Sequence, residues 1–507
     1  MPPITRPGPP GFPLDRPMPS DRLRGWLVTV FLTILAGATR FYQLGYPTDS
    51  GTPVFDEKHY VPQAWQMVRN GGVEDNPAYE LVVHPPLGKQ LIALGEMFQG
   101  YDPVGWRLSA ALAGTVCVLL VIRIARRLTR STLYGAVAGI LMLSDGVSFV
   151  QSRMGMLDIF LTLFVIAAFG ALLVDRDDMR CRMALVVAQG RVGDSPLGPR
   201  MGVRWWRFGA GVLLGMACAV KWDGAFWLAA FGVLSVVWDL CARRAAGVRR
   251  PWVGTWVRDV GPALWALAAI PVLVYLAGWW AWFASEMGTD RHEVGRDIGV
   301  GGPWAFLPDA LRSLWYYHGH VLDFHASLDT SRTHPHPWES KPWAWPMSLR
   351  PMLYYLSTAT RTCAPGGTGE CVSATMLVGT PALWWASPLA LGWALWRGFT
   401  RFDWRYGAVL VGYGAGYLPW FIHIARQMYF FYATPLAPFL ILGLTLMLGD
   451  IVGHSRPGTE RHGTGVMILS LYLALCVVNF AWLWPIMVGM PISNAHWNAE
   501  MWLPSWR

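Results

Sequence analysis

Charge is what this chain has least of. Only 14% of its 507 residues are Asp, Glu, Lys or Arg, whereas a soluble chain carries about a quarter. Apolar residues fill the gap: 53% are hydrophobic, and 30 residues are Trp. That composition argues against an ordinary soluble enzyme and fits a protein dissolved in lipid, with aromatic rings at the headgroup level. Cysteine is scarce as well. The seven are Cys117, Cys181, Cys218, Cys241, Cys363, Cys371 and Cys476, and none forms a paired CxxC zinc pattern. A helical HExxH is missing, as is any visible internal repeat of the kind many transporters carry. The net charge of +9 falls in short clusters between apolar runs, as orientation signals do. No motif or basic face supports nucleic-acid binding.

What is present is length in the right units. Residues 1–20 are rich in Pro and read as a disordered cytoplasmic tail; residues 21–507 read as one transmembrane domain. Eleven apolar runs, most of about 17–25 residues as a ~30 Å hydrocarbon core requires, fall near 26–44, 103–122, 132–149, 157–174, 207–220, 224–240, 261–284, 376–396, 406–422, 428–449 and 463–487. The first reads as a retained helix rather than a cleaved signal peptide, because it is long and further spans follow. Alternate connections are rich in Arg: Arg123 to Arg130, Arg176 to Arg207, Arg243 to Arg258, Arg397 to Arg405, and Arg456 with Arg461. This alternation predicts an all-α polytopic protein of the plasma membrane with a cytoplasmic N-terminus and an extracytoplasmic C-terminus. Two outer connections are large, about 45–102 and about 285–375. Loops of that length in a compact protein usually carry function.

The most informative string is Phe55-Asp56-Glu57-Lys58-His59-Tyr60. Most acidic pairs are solvated charge runs, but this one sits between apolar and aromatic residues next to the membrane. A partly desolvated carboxylate there has a raised pKa and can act as a base. The same connection holds His84-Pro85-Pro86-Leu87-Gly88-Lys89, which opens an amphipathic segment expected to lie along the interface. Cations at span ends are costly and point to function. Arg153, Lys221 and Arg426 all fall on outer connections, where Arg suits phosphate as a fork and Lys as a point charge; each alone also reads as a snorkelling side chain. Asp158 reads more simply as the partner of a neighbouring cation.

In the second large connection, His334, His336 and Glu339 have zinc-like spacing, but the string is Pro-rich and lacks the helical pattern. No metal is assigned. Trp338, Trp343 and Trp345 read either as a peptide groove or as interface aromatics. Cys363 and Cys371 share one polar loop; a short disulfide, if that loop is outside the cell, and two reduced thiols both fit.

Together these strings resemble the protein O-mannosyltransferases, membrane enzymes of the GT-C architecture, and the actinobacterial members in particular. The resemblance rests on Asp56-Glu57, HPPLGK at 84–89, Ser152-Arg153 through Leu157-Asp158, Lys221-Trp222, HPWESKPWAWPMSLRP at 336–351 and RQMYFFYATPLAPF at 426–439. It implies transfer of mannose from polyprenyl-phosphate-mannose to Ser or Thr hydroxyls of exported proteins, with the protein-export machinery as a further candidate partner. Asp56 matches the family's catalytic carboxylate, with Glu57 beside it. Relative to eukaryotic members, the second loop is shorter and has no β-trefoil insert.

The residues agree with that chemistry. A sugar phosphate already has a good leaving group, so no general acid is needed at the departing oxygen. One base must take the acceptor proton, and cations must hold the departing phosphate. The expected base is Asp56, with Glu57 positioning the acceptor. Arg153, Lys221 and Arg426 are expected on the donor phosphate, and His84 and Lys89 either there or holding the loop. His336, Trp338 and Glu339 are the acceptor-loop candidates. No cofactor is implied. Two alternatives keep the membrane setting: a same-fold transferase acting on a lipid or cell-wall glycan, and a lipid-sugar transporter.

Overall fold

Apolar length decides most of the architecture. The computed structural model describes residues 5–7, 12–75, 83–328, 336–363, 367–453 and 458–507. Among these, seven helices are long and apolar enough to cross a membrane: Arg22–Phe41, Pro103–Thr129, Asp158–Ala188, Gly224–Ala245, Pro251–Gly278, Phe430–Val452 and Glu460–Val488. Four shorter helices, Thr132–Leu143, Trp205–Val220, Ser387–Thr400 and Trp404–Tyr417, fall on the remaining expected runs. The helices used below are α1 (Arg22–Phe41), α2 (Glu57–Arg69), α3 (Leu87–Gln99), α4 (Pro103–Thr129), α5 (Thr132–Leu143), α6 (Gly146–Gln151), α7 (Asp158–Ala188), α8 (Trp205–Val220) and α9 (Gly224–Ala245). Burial sorts them into layers. In the most apolar 18-residue stretch of each, Phe430–Val452 is 83% buried and α7 72%, so both run through the centre, whereas α1 and Glu460–Val488, at 22% each, turn most of that stretch outward.

Helix α4 ties the two ends of the bundle together. Its 27 residues span roughly 40 Å at ~1.5 Å per residue. At one end, Arg126 meets Asp21 at 2.8 Å, just before α1. At the other, Arg107 donates to the carbonyls of Leu44 and Pro47, just after α1. The first end collects the Arg-rich connections, and their arginines do more than set orientation. Arg204 bridges Asp175 and Asp239, Arg243 grips Asp259 at 2.6 and 2.8 Å, and Arg397 reaches Asp450 at 3.1 Å.

The N-terminal tail departs from the expected disorder at this same end. Strands β1 (Thr5–Pro7) and β2 (Pro13–Asp15) pair antiparallel. Phe12 is buried against Met179, Met183 and Ala242, and Asp15 meets Arg176 at 2.5 Å. One aromatic and one carboxylate are enough to dock the segment.

The other end is built from the large connections, and they are not structureless. The first folds into α2 and α3. The second contains helix Asp309–Ser327 and a hairpin of β3 (Met352–Cys363) and β4 (Gly367–Leu377), which β5 (Ile492–Ser493) extends in the order β3-β4-β5. Aromatic and β-branched residues such as Tyr354, Tyr355, Thr358 and Thr375 suit a pleated surface. Cys363 and Cys371 are joined by a disulfide near the hairpin tip. Tyr354 stacks on Phe55 with ring centroids 4.7 Å apart, which fixes the hairpin over the first connection. β5 belongs to the C-terminal segment, so the C-terminus lies at this end, opposite the docked tail.

Candidate active site

The turn that opens α2 sends two adjacent carboxylates to different places. Glu57 is fully buried. It accepts from Arg107 Nε at 2.7 Å and Nη2 at 2.8 Å, from the Gly155 amide at 2.7 Å and from the Val54 amide at 3.2 Å. Arg107 spends its remaining donors on the Leu44 and Pro47 carbonyls at 3.1 and 2.8 Å. The pair thus clasps the exit of α1, the turn at Val54 and the segment after α6 in one knot. This corrects the expectation that Glu57 positions the acceptor: its oxygens are enclosed and occupied.

Asp56 is left free by that arrangement. It stands at the N-cap position of α2 but makes no capping hydrogen bond. The turn is held by Phe55, whose φ of +51° is unusual for a bulky residue and marks stored strain. Stacking on Tyr354 and an edge contact with Phe431, centroids 6.0 Å apart, pin the Phe55 ring. The half-buried Asp56 carboxyl is pushed up to about 7, first by desolvation and then by the negative charge of Asp158, with Lys221 opposing. The phenols of Tyr60 and Tyr354 share this pocket and are driven well above their ordinary range by burial and by the carboxylates.

Cations gather on the far side of Asp56. Lys221, in the link between α8 and α9, donates to Asp158 at 2.9 Å and lies 5.0 Å from the Tyr432 ring centroid. Burial works against its charge, but Asp158 and Asp223 more than reverse this and hold the ammonium above its usual range. Arg426 offers Nη2 to His325 Nδ1 at 3.1 Å. Its Nε is buried with no acceptor among the described residues. His84 lies between Tyr60 and His325, with centroids 5.9 and 5.8 Å away. Burial, then Lys221 and the other positive groups, pushes His84 well below its usual range. His325 is pushed down to about 4, by burial first and then by Arg426 and Lys221. Both imidazoles are therefore neutral at pH 7. Lys221 and Arg426 both act on His84 and His325, so two cations share this neighbourhood, with Asp158 paired to Lys221.

Other expected residues turn out to build the frame. Arg153 gives its guanidinium to the carbonyls of Arg40 at 2.9 Å, Tyr42 at 2.5 Å and Gln43 at 3.1 Å. It closes the end of α1, where carbonyls lack helical partners, and has no fork to spare for phosphate. Lys89 is buried against Glu74 in an ion pair and holds the first connection together. The HPWESK string braces the backbone that carries Arg426. Lys341 donates to the Ile424 and Arg426 carbonyls at 2.8 and 2.7 Å, the Ser340 amide meets the Met428 carbonyl at 2.8 Å, and Glu339 pairs with Lys341 at 2.6 Å. His336 accepts from the Trp338 amide at 3.1 Å. Trp338 lies under the Arg350 guanidinium. These contacts brace the segment that carries Arg426. His334 lies outside the described residues.

Sequence reasoning passed over Arg107, Phe55, Tyr354 and His325. Arg107 carried a usable signal, a charge within an apolar run. His325 was hidden because its segment reads as loop. The strain at Phe55 leaves no trace in sequence.

Residues 102–286 match the family model described as dolichyl-phosphate-mannose-protein mannosyltransferase, and residues 310–506 match the C-terminal four TMM region of protein-O-mannosyltransferase. The polyprenol-phosphate-mannose–protein mannosyltransferase of Mycobacterium tuberculosis is 56% identical over 505 residues, covering 100% of this chain and 96% of the relative. The Corynebacterium glutamicum protein of the same name is 46% identical, covering 99% of this chain and 96% of the relative. Among solved structures, the Saccharomyces cerevisiae protein O-mannosyltransferase Pmt1-Pmt2 complex bound to the sugar donor superposes with a TM-score of 0.74 at 16% identity, over 98% of this chain and 96% of that one. That likeness is one of fold.

Proposed function

The chain belongs to the protein O-mannosyltransferases, as a multi-pass membrane enzyme that moves mannose from polyprenyl-phosphate-mannose to protein, and on that premise we propose that Asp56 is the general base of a single, inverting displacement. Family membership removes the glycan-acceptor and transporter alternatives. The acceptor hydroxyl oxygen attacks the anomeric carbon of the mannose while its proton passes to Asp56. The bond from that carbon to the phosphate oxygen breaks, its electron pair leaves with the oxygen, and polyprenyl phosphate departs. Lys221 and Arg426 hold the growing phosphate charge, with neutral His84 and His325 as hydrogen-bonding partners. Arg426 Nε, a buried donor without an acceptor, supports this assignment. A base near pKa 7 suits proton transfer at neutral pH.

We also assign the site to the extracytoplasmic face of the plasma membrane, because it lies opposite the Arg-rich connections. The acceptors are then Ser and Thr hydroxyls of exported proteins, met as they leave the export machinery. The observation that carries the reading is a carboxyl without a hydrogen-bond partner among the described residues, raised to about 7 and within the field of Lys221. Asp56→Asn is expected to cut mannose transfer to a Thr-containing peptide by about 10²–10⁴-fold while donor affinity stays near normal. Transfer at close to the wild-type rate would remove Asp56 from the role.

A further inference from the structure

One edge of the hairpin is unpaired, and it borders the active site. Among the described residues the sheet order is β3-β4-β5, so β3 has β4 on one side and no described strand on the other. In an antiparallel ladder only alternate residues bond to the neighbour, and every second amide and carbonyl of β3 therefore points away from β4. Among the described residues, no backbone group bonds to residues 353–358 from that side.

Proteins usually blunt such an edge with proline, charge or a covering segment, since a bare one invites another chain to pair. Here the stretch Met352-Leu353-Tyr354-Tyr355-Leu356-Ser357-Thr358 contains no proline and no charge, and Leu356 is 52% exposed. The edge is open where protection is expected.

A cavity of about 340 Å³ runs along it. Tyr355, Leu356 and Ser357 form one wall, and Thr48, Asp49 and Lys58 of the first connection the other. The slot lies next to the base: Phe55 and Tyr354 both line it and stack at 4.7 Å, Phe55 immediately precedes Asp56, and the Tyr354 phenol feels the Asp56 charge.

We propose that the acceptor polypeptide binds in this slot as an extended strand, pairing main chain to main chain with β3 at Tyr355–Ser357 and presenting its hydroxyl to Asp56. This rests on the reading of Asp56 as base. Strand addition takes affinity from backbone hydrogen bonds, which every residue but proline can make. The site accordingly accepts many sequences, and requires that the acceptor be locally unfolded.

The first arm of the test leaves the enzyme untouched. A peptide with a single Thr is N-methylated at one backbone amide at a time, and mannose transfer from polyprenyl-phosphate-mannose is followed. Loss of one hydrogen bond changes affinity about five-fold, so KM for the peptide is expected to rise about five-fold at every second position, with KM for the donor constant. In the enzyme, Leu356→Pro and Ser357→Pro alter neighbouring amides that face opposite ways. One is expected to raise the peptide KM alone, and the other to disrupt pairing with β4. A flat or uniformly declining N-methyl profile overturns the proposal. So does a flat profile joined to a lower oligomeric mass in either proline variant, which assigns the edge to a second copy of this chain. An Asp56→Asn enzyme that transfers normally with the alternating profile intact would refute the base and spare the strand contact.

Discussion

Asp56 and Glu57 differ by one methylene and one position, yet their surroundings divide them completely. Glu57 meets four donors and is a fastener; Asp56 meets none through its helix cap and is free to titrate. Because desolvation raises Asp56 to about 7, its charged and competent form accumulates only as pH rises through that value. Transfer at subsaturating acceptor should therefore climb about ten-fold per pH unit below 7 and level off above it, and the residual activity of Asp56→Asn should lose this limb. A rate profile flat from pH 5 to 8 would contradict the assignment. A second expectation concerns the cations: Lys221→Ala and Arg426→Ala should each weaken donor binding by at least about ten-fold, the worth of one charge-assisted contact, measurable by donor titration. Donor affinity unchanged in both would return these residues to a structural role. Lys221 and Arg426 could be singled out in the sequence because charge is rare in an apolar chain and each sits at the end of a run, and Asp56 and His84 because each belongs to an unusual string in the first large connection. What residue type cannot reveal is where a side chain spends its hydrogen bonds. Arg153 looked equivalent to Arg426 on that basis, and it closes a helix instead.

At the level of elements, each apolar run could be read as helical because lipid demands apolar length, but its ends could not. The run expected at 157–174 continues as α7 to Ala188, and the one expected at 376–396 opens with the end of β4 before helix Ser387–Thr400. The two large connections were less legible still. Their helices and hairpin mix polar and apolar residues, and tertiary contacts such as Phe55 on Tyr354 decide their form rather than periodicity. The clasp between α4 and the first connection is the strongest of these contacts. Removing one partner from a buried ion pair costs about 3–5 kcal/mol, so Arg107→Ala should lower the thermal midpoint of the detergent-solubilised protein by several degrees. It should also expose residues 45–75 to protease and abolish transfer at the same time. An Arg107→Ala protein with unaltered melting and cleavage patterns would show the clasp to be dispensable.

For the molecule as a whole, the informative feature is the separation of two ends. One is laced by Arg–Asp pairs and the docked tail; the other holds both large connections, the hairpin and the C-terminus. Cys181 is exposed near the first end, while Cys363 and Cys371 are joined at the second. In intact cells, a membrane-impermeant maleimide should leave the native chain unlabelled, and permeabilisation should expose Cys181. Labelling of Cys181 without permeabilisation would invert the proposed orientation. The same large-scale view gives the site its history. Its proposed base comes from residue 56, one cation from residue 221 and the other from residue 426. During synthesis the ribosome must deliver the chain as far as residue 426 before donor phosphate and base can meet, so a product that stops short of it is inert toward its lipid-linked sugar rather than half-competent.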